Sequence, residues 1–159
     1  MEVIGPVGLA NRAMQAYSLA YGGAADRLVD SGRIRFSHLE AGDVFEVRIG
    51  LSVEAIAMKH RPESLAYRIE VAGRRLAFTG DTEWCEGLEV LSKDADLLVV
   101  DCTDLESGDG HHLSYRELEQ RGHLLGARRI ILSHLGESAR THAESFIYEV
   151  ADDGLVVDI

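Results

Sequence analysis

A layered α/β fold is predicted, on three observations. The first half of the chain reads as short strands joined by turn signals, and the second half alternates helical and extended patterns. Three chemistry-bearing residues, His60, Asp81 and His134, each come just after an apolar run, as they do where functional groups sit on loops at strand ends. A length of 159 residues suits one domain, residues 1–159, with a real core, and 46% apolar and 27% charged residues are ordinary for a globular protein.

The elements follow in chain order. Met1 to Ile4 is a short apolar start, and Gly5-Pro6-Val7-Gly8 is a turn leading into a helix. Leu9, Ala13, Tyr17 and Ala20 recur at helical spacing with Ala16 beside them, and Gly22-Gly23 ends the run. Residues 33–36 and 44–49 read as strands on either side of the turn signal Glu40-Ala41-Gly42-Asp43. Ser52 to Met58 alternates as a third strand and delivers Lys59-His60. Leu65 to Val71 and Arg75 to Thr79 form a hairpin through Ala72-Gly73-Arg74. Trp84, Leu88, Leu91 and Ala95 mark a helix, and Leu97 to Val100 is a continuous apolar run of the kind buried on both faces, ending at Asp101. A second helix carries Tyr115, Leu118, Gly122 and Leu125 on one face. Arg129 to Leu132 is a strand delivering Ser133-His134, and the tail offers two more, Ser145 to Val150 and Leu155 to Asp158.

Charge and composition narrow the function classes. A net charge of -11 opposes non-specific binding to nucleic acid or anionic lipid. No apolar run approaches the roughly 20 residues that span a bilayer, and the N-terminus lacks a signal-peptide pattern. Two cysteines, Cys85 and Cys102, make no disulfide framework, so a reducing, cytoplasmic setting is expected. Arg33, Arg35, Arg74, Arg75, Arg128 and Arg129 read as solvated surface in preference to a basic patch.

Leu76 to Thr82 ends an apolar run in Gly-Asp-Thr, placing a carboxylate at a strand tip. That position suits metal binding or acid–base work, and a turn capped by Asp81 accounts for the same tripeptide. If the strands before His60, Asp81 and His134 share a sheet and a direction, the three groups meet along one edge. Neutral imidazole and carboxylate are ligands for zinc-like cations, and the two oxygens of an Asp can bridge two ions. A metal-bound water has its pKa lowered to about 7. Lone histidines at strand ends more often serve the surface or a hydrogen bond, so residue types and spacing leave both readings open. Asp101 is a candidate for orienting a ligand histidine. Cys85 reads as a small buried thiol in preference to an activated one. Thr82 and Ser133 read as turn-bonding residues, and Trp84 and Tyr67 as core.

Four stretches carry a resemblance. They are His60-Arg61-Pro62-Glu63-Ser64-Leu65-Ala66-Tyr67-Arg68-Ile69-Glu70, Leu76 to Thr82, Gly110-His111-His112-Leu113-Ser114, and Ile131-Leu132-Ser133-His134. Together they resemble the metallo-β-lactamase superfamily, in the branch of the tRNA 3′-end endonuclease ribonuclease Z and related phosphodiesterase-like hydrolases. Gly5-Pro6-Val7-Gly8-Leu9 resembles the segment that opens a helix midway through such proteins. The resemblance implies an αββα sandwich holding two zinc or manganese ions. By it, His60 binds one metal, Asp81 bridges the two, His134 binds the second, and His112 protonates the leaving group.

The family signature His-x-His-x-Asp-His is absent from these 159 residues, and His38, His123 and His142 stand alone. The expectation is therefore a partial sandwich lacking its N-terminal part. Two protein ligands per ion fall short of a zinc site, which implies less than one tightly bound transition metal per chain. A sheet without its neighbours exposes an apolar edge or face, which implies a homo-oligomer or a complementing N-terminal half. The favoured reading is a metal-dependent hydrolase of a small-molecule or phosphodiester substrate, completed by that missing half. The alternatives are a catalytically silent binding or oligomerisation module, and an RNA endonuclease. The twenty residues between His60 and Asp81 are too few for a long tRNA-gripping arm, and the acidity also disfavours the endonuclease.

Overall fold

The computed structural model describes residues 1–22, 24–61, 63–106 and 110–159; Gly23 and Pro62, both named above, lie outside them. The chain divides into two compact units, Met1–Glu40 and Ala41–Ile159. In the first, strand β1 (Glu2–Gly5) leads through a turn into helix α1 (Leu9–Tyr21), followed by helix α2 (Ala24–Asp30) and strand β2 (Arg35–His38). The two strands pair in parallel, Glu2 opposite Arg35 and Gly5 opposite His38. The expected strand at 33–36 thus lies two residues further on, where its register with β1 places it. Gly22 closes α1, its N–H bonding Ser18 O. Helix α2 has no counterpart in the sequence reading.

The second unit is built on one seven-stranded sheet whose strands lie in chain order. They are β3 (Val44–Arg48), β4 (Leu51–Ala57), β5 (Leu65–Val71), β6 (Arg74–Phe78), β7 (Leu97–Asp101), β8 (Ile130–Ser133) and β9 (Glu149–Val150). From β3 to β6 the strands run antiparallel, and from β6 to β9 they run parallel. Two reversals separate β4 from β6, so β4, β6, β7 and β8 all point the same way. Their C-terminal ends share one edge, and His60, Asp81, Asp101 and His134 all lie there. The condition set by the sequence is met.

Side chains alternate across a strand, so one face of this sheet carries Ile56, Ala66, Ala77, Leu98, Val100 and Leu132. Against it pack helices α3 (Glu86–Ser92) and α4 (Tyr115–Arg121), through the fully buried Leu88, Leu91 and Leu118. Arg68 lies under α3, donating to the carbonyls of Val90 and Leu91 and to Glu54 Oε2 at 2.7 Å. It thereby satisfies carbonyls that the end of a helix leaves without partners. Trp84 packs against this core with the Arg121 guanidinium 4.2 Å from its ring centre. The opposite face carries Val53, Tyr67, Ile69 and Leu76 half-buried and Phe78 exposed.

The tail departs from expectation. Phe146 stacks on Tyr115 with ring centres 3.7 Å apart, and the Tyr148 hydroxyl donates to Leu118 O. Its apolar alternation therefore serves the helix layer, and only Glu149–Val150 joins the sheet. No strand forms over residues 155–158. A further short helix, α5 (Glu137–Arg140), was also not anticipated.

Candidate metal centre

Each functional side chain is set by the element that ends before it. After β6, Thr79 extends the pairing through its N–H to Val99 O, and Gly80 then turns at φ +59°. That left-handed conformation is one that glycine adopts without cost, and it swings Asp81 to the sheet edge. Strand β7 ends at Asp101, directly opposite Ser133 on β8. His134 follows at φ +61°, an unusual backbone for a residue with a side chain, and strain of this kind concentrates at functional sites. His112 is held from the other side. Ser114 caps α4 in a reciprocal box with Glu117, and Leu113 O accepts the Thr103 N–H, so the segment bearing His112 is fastened to the end of β7.

Asp81, Asp101, His112 and His134 offer ligand atoms that all lie within 4.8 Å of one another. His134 Nδ1 stands 3.4 Å from Asp81 Oδ1 and 3.5 Å from Asp101 Oδ1. Asp81 and His134 are about half exposed, whereas the Asp101 side chain is 1% exposed. That buried carboxylate accepts three hydrogen bonds. Thr82 N–H and His112 Nδ1–H donate to Oδ2 at 3.0 and 2.9 Å, and the Thr103 hydroxyl donates to Oδ1 at 2.8 Å. A charge removed from water needs such partners, and this one has them.

His60 stands beside this group of four. Its ring centre is 4.9 Å from that of His112, and its Nδ1–H donates to His111 O at 2.8 Å. A carbonyl and a carboxylate only accept, so Nδ1 carries the proton in both His60 and His112, and Nε2 is the unprotonated nitrogen of each neutral ring. Of the residues singled out from sequence, Asp81, His112 and His134 converge in the cluster, and His60 adjoins it. The sequence reading placed Asp101 only as an orienting candidate and passed over Thr103. Thr82, read as turn-bonding, accepts the Lys59 N–H and donates to Glu83 O, and its own N–H supports Asp101.

The donor set suits a borderline divalent cation. Imidazole nitrogens and carboxylate oxygens are its ligands, and the four residues bring atoms of both kinds within 4.8 Å of one another. Beside His134 opens a cleft of about 920 Å³ lined by Arg140, Glu144, Asp152 and Asp153 among others.

Four residues that could hold a metal ion, at the C-terminal edge of a mixed sheet, set the class as an α/β domain with a candidate metal site. The family model described as the beta-lactamase superfamily domain matches residues 8–135, and the chain belongs to that superfamily. Ribonuclease Z of Myxococcus xanthus is 33% identical over 102 residues, covering 55% of this chain and 33% of that protein. The chain thus spans about a third of the length of this curated relative. Zn(2+)-bound PqqB from Methylobacterium extorquens superposes over 100% of this chain and 62% of its own, at a TM-score of 0.73 and 20% identity. The short form of human tRNase Z matches 99% of this chain and 67% of its own, at a TM-score of 0.68 and 21% identity. The fold is that of the metallo-β-lactamases. Among the described residues, no helix is long and apolar enough to cross a membrane.

Proposed function

We propose that this chain is a metal-dependent hydrolase that cleaves a phosphodiester, and that full activity needs a further segment bearing His-x-His-x-Asp-His. The observation that carries the reading is the convergence of Asp81, Asp101, His112 and His134 within 4.8 Å on one sheet edge. Asp81 and His134, with His60 alongside, would hold the cation, zinc or manganese. Asp101 spends its oxygens on three donors and is a positioning residue. A bound cation would supply a water of lowered pKa and positive charge beside the ester oxygens. His112, doubly protonated, keeps Nδ1–H on Asp101 and passes the Nε2 proton to the departing oxygen. The ribonuclease Z relatives support the phosphodiester class. The cleft beside His134 sets one cation, Arg140, among Glu144, Asp152 and Asp153, and this favours a small diester over RNA.

Hydrolysis of bis(p-nitrophenyl) phosphate by the metal-loaded chain tests the reading, with and without a separately expressed His-x-His-x-Asp-His segment. Turnover that appears or rises on complementation, and vanishes in Asp81→Ala, is expected. No turnover with the segment present sinks the reading. The half-exposed apolar face that includes Tyr67, Ile69 and Phe78 favours a second one, a silent binding or oligomerisation module. Concentration-dependent association without catalysis would select it.

A further inference from the structure

The geometry points to Thr103 as the residue that sets the tautomer of His134, through a relay running from His134 Nδ1–H to the Thr103 hydroxyl and on to Asp101. It rests on the metal reading above only in what the tautomer is for. His60 and His112 have their tautomers dictated by partners that can only accept. His134 differs, because its nearest partner is a hydroxyl, Thr103 Oγ1 at 3.0 Å, which can donate or accept. The direction is decided one bond further on. Thr103 Oγ1 lies 2.8 Å from Asp101 Oδ1, an ionised and buried acceptor, and a hydroxyl has a single hydrogen to give. Once that hydrogen goes to Asp101, the contact to His134 requires the imidazole to donate. Nδ1 is then the protonated nitrogen and Nε2 the one available as a ligand. One carboxylate therefore orients two histidines, His112 through Oδ2 directly and His134 through Oδ1 and the intervening hydroxyl.

The backbone is built to hold this hydroxyl in place. Thr103 N–H donates to Leu113 O at 3.0 Å, and Thr103 O accepts from Gly136 N at 2.9 Å. A Cβ at position 136 would come within 2.8 Å of Thr103 O, closer than such contacts occur, so the loop after His134 must carry glycine there to reach this carbonyl. Thr103 is thereby clamped between the segments bearing His112 and His134. Partners that fix a ligand histidine's second nitrogen commonly affect metal affinity roughly 10- to 100-fold.

The test reads the metal-free full chain, labelled with ¹⁵N-histidine, by long-range proton–nitrogen correlation at a pH where the imidazoles are neutral. Wild type is expected to show His134 protonated at Nδ1 and bare at Nε2. Thr103→Val should release His134 toward the Nε2–H form that free imidazole favours, while His112 keeps Nδ1–H on Asp101. Thr103→Ser should restore the wild-type pattern, and zinc affinity should fall and recover in parallel. A wild-type His134 protonated at Nε2 overturns the proposal, and that spectrum decides even if Thr103→Val does not fold. An unchanged tautomer in Thr103→Val also overturns it, by assigning the lock to the Asp81 and Asp101 carboxylates. The expected tautomers in a chain that binds no zinc would uphold the relay and reject the metal reading.

Discussion

Replacing Asp101 by Asn changes one atom at the centre of the cluster and should reverse the polarity of what surrounds it. Two N–H donors, from Thr82 and His112, converge on the Oδ2 position, so the carboxamide oxygen must take that side. The amide NH₂ then faces Thr103, whose hydroxyl has to accept and turns its own hydrogen to His134 Nδ1. His134 becomes protonated at Nε2, and His112 does not change. Bonds to a charged acceptor contribute about 1.5–3 kcal/mol and neutral ones about 0.5–1.5 kcal/mol, so two weakened bonds cost about 2 kcal/mol. Relief of the desolvated charge returns part of that, and a net loss of about 1–2 kcal/mol is expected. Urea unfolding of the metal-free chain should show a lower midpoint at unchanged slope, and histidine spectra should show the His134 proton moved. A variant at least as stable as wild type, with His134 unmoved, would refute the assigned polarity.

Four other outcomes follow. Leu118→Ala, at a fully buried position against the sheet, should lose about 2–5 kcal/mol in urea unfolding. Burial, then the nearby Asp101 and Asp104, push the Cys102 thiol from its ordinary 9.0 up to about 12. The folded state thus holds it neutral: its share of stability is intact below the ordinary value and drains as pH rises toward the folded one. Alkaline unfolding should therefore flatten in Cys102→Ala, and maleimide should label Cys85, which is only partly buried where the sequence suggested a buried thiol, but not Cys102 until the chain unfolds. The Arg75 N–H, then Arg128 and Arg74, hold the Asp96 carboxyl below the usual range. Its contribution is present above the ordinary carboxylate pKa and is lost as pH falls through the lower folded value, so Asp96→Asn should shrink the acid limb of stability against pH. Finally, after exhaustive dialysis the chain should retain less than one equivalent of zinc, and elemental analysis finding two tightly held ions would contradict the ligand count.

The strand ends were legible because an apolar run and the polar residue that stops it are local. Leu65 to Val71 is a strand as read, and Leu97 to Val100 extends by one residue to Asp101. Their shared direction was only a condition in the sequence; two reversals, between β4 and β5 and at Gly73, and the helices between the later strands supply it. Thr103 was not legible, because nothing nearby in sequence says that its hydroxyl will lie between residues 101 and 134. The same limit applied to the tail. Phe146 and Tyr148 carry a strand-like alternation, and only tertiary contact with Tyr115 and Leu118 shows where it is used. Helix α2 and α5 are short, and short helices carry little periodicity to detect.

The pairing of β7 with β8 places Asp101 opposite Ser133, and Val100 opposite Leu132. A slip of one residue would turn every side chain of the strand to the other face. Asp101 would then enter the apolar layer, and Val100 would leave it. A sheet misregistered by one residue therefore loses the core and the site together. Assembly of the ligand cluster and closure of the hydrophobic layer are one cooperative event, so the slowest amide exchange should run through Leu98 to Cys102 and report both.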